Sequence, residues 1–225
     1  MTPERIALVT GASRGLGFAT AAALGARGWQ VIAFARTVGG LEELDDTIRK
    51  AGGPPATLVP ADITDKAALP RMGLAIHQRW GRLDLLVHCA AHAPPLAPAP
   101  HIDDKDADRA MAVNGLGLQR LIVMADPLLR AAEAGRAVFC DDPVDGKFWG
   151  GYAASKAAGR AIARAYAAES VRTGPDIRLF VPPPMPTALR ARFFPGENRD
   201  SLTAIDRAAE ALLASLGLGR SAAEG

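Results

Sequence analysis

Ile6-Ala7-Leu8-Val9-Thr10-Gly11-Ala12-Ser13-Arg14-Gly15-Leu16-Gly17 decides the reading. A short apolar run enters a turn with three glycines, and the turn opens into an Ala-rich segment of helical period. Without side chains, Gly11, Gly15 and Gly17 let the chain turn tightly and bring its backbone close to a ligand. The exposed N–H groups and the dipole at the start of the following helix favour anionic oxygen. A glycine pattern carries weight only between a strand and a helix, and this one lies there. We therefore read the turn as a cradle for the pyrophosphate of a dinucleotide, in preference to an ordinary strand-to-helix connection.

Working outward, short apolar runs alternate with longer helical segments. Strands are predicted near residues 5–10, 30–35, 56–61, 84–89, 136–141 and 176–181. Helices are predicted at about 15–28, 40–51, 65–80, 104–133, 150–173 and 203–217. Leu85-Leu86-Val87, Val31-Ile32-Ala33-Phe34 and Leu179-Phe180-Val181 are apolar at every position, as strands covered on both faces require. This α/β alternation predicts a doubly wound parallel sheet of about six strands with helices on both faces, in a single domain over 1–225. Two proline-rich stretches, 94–100 and 182–186, each follow a strand's carboxyl end, the edge where such sheets bind ligands.

Composition narrows the function. The 225 residues are 49% hydrophobic, enough for one substantial core, and 26 basic side chains nearly balance 24 acidic ones. No basic patch suggests a nucleic-acid partner. No apolar stretch reaches the roughly 20 residues that span a bilayer, and residues 6–9 are too short for a secretory leader, so a cytoplasmic protein is expected. Cys89 and Cys140 make no disulfide framework and are read as thiols.

The second predicted strand ends Phe34-Ala35-Arg36-Thr37, where an NAD-binding domain usually presents a carboxylate to the ribose. A guanidinium pairs instead with a 2′-phosphate, so Arg36, assisted by Arg14, points to NADP(H) over NAD(H). Asp62 reads equally as an acceptor for the adenine amino group and as the cap of a helix starting near Thr64-Asp65.

Tyr152-Ala153-Ala154-Ser155-Lys156 opens a predicted helix, and a spacing of four sets the phenol and the ammonium on one face. A nearby cation favours phenolate, so Lys156 is expected to lower the pKa of Tyr152 and make it an acid/base near neutrality. With the glycine turn some 140 residues earlier, the chain resembles the classical short-chain dehydrogenase/reductase family over nearly its whole length. The turn fits that family's TGxxxGxG, Tyr152 and Lys156 its YxxxK, and Asn114 its helical asparagine.

The resemblance implies a Rossmann fold and an oxidoreductase that transfers hydride between NADP(H) and a small or medium carbonyl or alcohol substrate. It implies Tyr152 as proton donor, Lys156 as its partner and ribose contact, and Asn114 as anchor of a relay water. It extends the cofactor contacts to Ser13, Leu16 and Ile63, to Cys89, Ala90 and Ala91, and to Thr187. Family members commonly pair the helices predicted at 104–133 and 150–173, where Ala157, Ala158, Ala161, Ala165 and Ala168 permit close approach, so a homodimer is expected.

The substrate side departs from the pattern. No serine precedes the tyrosine at the expected distance, and Asp142 or Asp141 stands in its place. An ionised carboxylate cannot donate to a carbonyl and repels a developing oxyanion. The family's NNAG segment reads His88-Cys89-Ala90-Ala91, its Pro-Gly reads Pro182-Pro183, and a seventh strand is missing. Loss of the serine supports the competing reading, a catalytically weak or inactive dinucleotide-binding protein. His88, Cys89, His92, Cys140, Asp141 and Asp142 are zinc-ligand types, but their spacing matches no closed set and no metal is expected. A substrate pocket is expected from 92–100, 141–151 and 183–200, apolar if Phe148, Trp149, Phe193 and Phe194 face inward.

Overall fold

The computed structural model describes residues 5–219. Six strands, β1 (Ile6–Thr10), β2 (Gln30–Ala35), β3 (Thr57–Pro60), β4 (Leu85–His88), β5 (Arg136–Cys140) and β6 (Asp176–Phe180), form one sheet in the order β3-β2-β1-β4-β5-β6. All five pairings are parallel. The order reverses between β1 and β4, which opens a crevice at their carboxyl ends. No seventh strand occurs among the described residues.

The helices are α1 (Gly15–Ala26), α2 (Val38–Lys50), α3 (Ala68–Trp80), α4 (Asp104–Ala110), α5 (Leu118–Arg130), α6 (Gly150–Ser170), α7 (Ala188–Phe193) and α8 (Ile205–Ser215). Strand side chains alternate between two cores, because successive residues point to opposite faces. Ala7, Val9, Val31 and Val87 pack with Leu24, Leu41, Ile48 and Leu212 beneath α1, α2 and α8. Ile6, Leu8, Ile32 and Leu86 pack with Leu69, Ile76, Leu121 and Tyr166 beneath α3, α5 and α6. Each fully buried aliphatic side chain contributes about 1.5–3 kcal/mol.

The long helix expected over 104–133 is divided. Asp103 caps α4 by accepting from the N–H groups of Lys105 and Asp106. Residues Met111–Gly117 then widen into π-helical turns, and α5 ends at Arg130, three residues before the expected end. At the π segment α6 crosses so closely that a Cβ on Gly159 would lie 2.3 Å from the Asn114 carbonyl oxygen. The helix expected from 65 starts at Ala68, since Asp65 holds the preceding turn by accepting from the Ala67 N–H at 2.8 Å. The last helix starts at Ile205, two residues late, and α2 starts two residues early, at Val38. The short α7 was absent from the sequence reading; Thr187 caps it by accepting from the Arg190 N–H.

Candidate active site

At the carboxyl edge of the sheet the backbone of the glycine turn anchors to β2, with the N–H groups of Gly11 and Ala12 both donating to the Phe34 carbonyl. Gly11 and Gly15 take positive φ values of 70° and 58°. A Cβ on Gly17 would lie 2.3 Å from the Gly11 carbonyl oxygen, so the turn keeps this shape only with glycine there. The methyl of Thr187, from the loop before α7, stands over Gly15. Between these walls lies a cleft of about 650 Å³.

This cleft collects every residue expected to touch a cofactor. Ser13, Arg14, Leu16 and the three glycines line one end; Arg36, Asp62 and Ile63 line the next wall; Cys89, Ala90 and Ala91 follow, then Tyr152, Lys156 and Thr187. The cradle, with Arg14 and Arg36 beside it, fits the phosphates of a nicotinamide dinucleotide.

Asp62 is engaged within the protein. Its carboxylate accepts from the Thr64 N–H and hydroxyl, and Arg109 donates to it at 2.6 Å. Burial pushes its carboxyl up, but these bonds together outweigh burial and hold it below the usual value. The turn it makes with Thr64 precedes α3 by several residues, so it does not cap that helix. Arg36 lies 3.9 Å from the same carboxylate, and its side chain is half exposed at the wall of the cleft.

The strand ends are tied by His88. Its Nδ1 shares a 2.8 Å hydrogen bond with the Thr10 hydroxyl, which also accepts from the Ala90 N–H. This pair joins the loop after β4 to β1 although the family's asparagines are absent. Burial, assisted by the Lys156 charge, pushes the imidazole down to about 3, so it is neutral. Cys89 and Cys140 are free thiols with sulfurs 3.4 Å apart. Their mutual hydrogen bond and burial hold Cys89 well above its ordinary value. Among the described residues no group of three or more His, Cys, Asp or Glu side chains is placed to hold a metal ion.

Tyr152 and Lys156 face the cleft from one side of α6, each bonded to another group. The Tyr152 hydroxyl donates to Asp142 Oδ2 at 3.0 Å, and Lys156 Nζ donates to the Cys140 carbonyl at 2.9 Å. This overturns the expectation that Lys156 lowers the Tyr152 pKa. Burial, then the charge and hydrogen bond of Asp142, then the charge of Asp141, drive the phenol well above its ordinary value. Burial also pushes the Lys156 ammonium down, against the pull of Asp141 and Asp142.

Of the two candidate aspartates, Asp142 meets the phenol. Asp141 turns the other way: Arg160 donates to its Oδ2 at 2.5 Å, and its Oδ1 accepts from the Asp142 N–H. Arg160 was not singled out from the sequence, although it continues the Tyr152–Lys156 spacing by one more step of four along α6. Arg109, Arg190 and Glu197 were also missed.

The Asn114 amide is used on all sides. It accepts from the His92 N–H and donates to the His92 carbonyl and the Ser155 hydroxyl, binding the loop after β4 to α6. Trp149 and Phe193 pack against Tyr152, with Phe193 ring centroids 4.7 Å from Trp149 and 4.9 Å from Tyr152. Phe194 adjoins Trp149. Phe148 instead faces outward, in a left-handed conformation with φ 71°.

Sheet order, helices on both faces and a glycine turn at the crevice define a Rossmann-type α/β domain. The family model for the short chain dehydrogenases matches residues 5–198, and the chain belongs to that family of oxidoreductases. It is 30% identical over 172 residues to a fatty acyl-CoA reductase of Acinetobacter baylyi, spanning 75% of this chain and 58% of that one. It is 30% identical over 182 residues to a sorbitol dehydrogenase of Cereibacter sphaeroides, spanning 79% and 69%. The chain thus covers little more than half of the first of these relatives. Among solved structures, a short chain dehydrogenase from Escherichia coli complexed with NADPH superposes with a TM-score of 0.86 at 27% identity, covering 95% of this chain and 89% of that one. No helix among the described residues is long and apolar enough to cross a membrane.

Proposed function

We propose that the protein is an NADP(H)-dependent reductase of a small or medium polarised substrate, in the first instance a carbonyl compound related to its alcohol. The observation that carries this is the convergence of the glycine cradle, Arg36, Lys156 and Tyr152 on one cleft. The glycine turn and Thr187 would hold the pyrophosphate, Arg36 with Arg14 the 2′-phosphate, and Lys156 the nicotinamide ribose. When bound, the dinucleotide supplies hydride to the substrate carbon. Tyr152 keeps its proton at neutral pH, since its pKa lies above the ordinary value, and so serves as donor in the reducing direction. Trp149 and Phe193 exclude water from the phenol, and Asn114 fixes the loop that borders it.

The contact of Tyr152 with Asp142 favours a second reading, a dinucleotide-binding protein of low activity, because the carboxylate competes with substrate for the phenolic proton. Calorimetry with NADPH, followed by assay against aldehydes, ketones and quinones, separates the two. The enzyme reading expects turnover that falls about 100-fold or more in Tyr152→Phe. NADPH binding with no turnover would establish the second reading, and activity surviving Tyr152→Phe would remove the mechanism.

We also infer a cytoplasmic homodimer. Ala157, Ala161, Ala165 and Ala168 form an exposed stripe on α6, and Met111, Leu116 and Val123 are exposed nearby along the π segment and α5.

A further inference from the structure

Asp142 is the unusual group of the cleft. Its Oδ2 accepts a hydrogen bond from the Tyr152 hydroxyl, and among the described residues no cation forms an ion pair with its carboxylate. The neighbouring cations make their close bonds to other groups: Arg160 to Asp141, Arg190 to Glu197 in a bidentate pair, and Lys156 to the Cys140 carbonyl, with Lys156 acting on Asp142 only through its charge at longer range. Asp142 lines the cleft beside Tyr152, whose ring packs in a cluster with Trp149, Phe193 and Phe194. A cleft-lining carboxylate with no ion-pair partner attracts a cation. One ring of the neighbouring cluster already faces a cation, since the Arg190 guanidinium lies 4.6 Å from the Phe194 ring centre; the hydrogen bond of Glu197, and more weakly the Asp142 charge, stabilise that cation.

Resting on the reductase reading above, we propose that the preferred substrate carries a protonated carbon–nitrogen double bond, an imine rather than a ketone or aldehyde, with its N–H directed at Asp142. The chemistry balances without a proton from the protein. The nitrogen enters protonated; hydride supplied from the dinucleotide adds to carbon, and the π pair of the C=N bond becomes the nitrogen lone pair of a neutral amine. Positive charge is lost at the reacting centre, where carbonyl reduction would build negative charge against the carboxylate. The same step leaves the Tyr152 proton in place, as suits a phenol that releases it reluctantly. With a carbonyl substrate the Tyr152 hydroxyl remains the proton donor; with the iminium it acts as a positioning group that fixes one oxygen of Asp142 and leaves the other for the substrate.

The test is calorimetric binding of benzamidine, a cation shaped like an iminium, and of its neutral counterpart benzamide, to the NADPH-saturated protein. Turnover of 2-methyl-1-pyrroline and of cyclopentanone is measured in parallel. Benzamidine is expected to bind about tenfold or more tightly than benzamide, and the cyclic imine to be reduced faster than the ketone. Asp142→Asn, which keeps the shape, is expected to erase the preference for benzamidine, and Asp142→Ser to shift turnover toward the ketone. Equal affinity for the two probes, or a preference that survives Asp142→Asn, overturns the proposal. NADPH affinity tells the failures apart: if the dinucleotide binds and the probes are not distinguished, this inference alone falls, and if it does not bind, the reductase reading falls with it.

Discussion

The Tyr152 hydroxyl donates its hydrogen bond to Asp142 Oδ2 at 3.0 Å, so a phenol expected to be poised for deprotonation is held protonated by burial and by this carboxylate. Removing the charge while keeping the shape should bring the phenol down, because only burial and the Asp141 charge then oppose ionisation. The chain has two tyrosines. In a Tyr166→Phe background, the ultraviolet tyrosinate signal of Asp142→Asn should therefore appear at lower pH than that of the Asp142 parent. An unchanged titration would show that the carboxylate does not govern the phenol.

Buried neutral His88 makes stability pH-dependent. Its folded-state value is depressed to about 3 against an ordinary value of 6.5. The stability is present above pH 6.5 and is lost as pH falls toward 3, because only the unfolded chain takes up this proton there. The slope is half-developed at pH 6.5 and approaches about 1.4 kcal/mol per pH unit below it, so urea denaturation should show a loss of about 1.6 kcal/mol between pH 6.5 and 5. His88→Gln should flatten that dependence, and an equally steep variant would assign it to other groups.

Arg160 neutralises Asp141, whose side chain is 8% exposed. Arg160→Met strands a buried carboxylate and should cost about 3–5 kcal/mol in chemical denaturation. Adding Asp141→Asn, which keeps an acceptor for the Asp142 N–H, should restore part of the loss. Failure of the second change to recover anything would mean that Arg160 acts through packing.

Arg36 should distinguish the two dinucleotides. Arg36→Ala should weaken NADPH about 10- to 100-fold, the scale of a charge-assisted contact, while NADH changes little in fluorescence titration. Equal weakening of both would deny a 2′-phosphate contact.

The architecture was legible because its signals are local. The apolar runs of β1, β2 and β4 carry their own evidence of burial on both faces, and Gly11, Gly15 and Gly17 announce a turn that larger residues resist. The cleft was legible to the extent that its walls follow strand ends. What escaped depends on partners far along the chain. Arg109 reaches Asp62 across 47 positions and ties up a carboxylate read as a ligand or a cap. The π turns around Asn114 follow from how closely α6 packs at Gly159, which helical period does not encode. The resemblance put Asp141 or Asp142 in the serine's place, but which of them meets Tyr152, and that it raises the phenol, escaped because the spacing of Tyr152 and Lys156 on one helix face says nothing of the loop after β5.

The most direct measurement is calorimetric titration of NADPH into the protein and into Gly17→Ala, whose added Cβ has no room beside the Gly11 carbonyl. A dissociation constant in the micromolar range for the natural sequence, weakened about tenfold or more by the substitution, is the predicted result. Absence of heat with the natural sequence, or equal affinity for the folded variant, would contradict the assignment of this turn as the dinucleotide cradle.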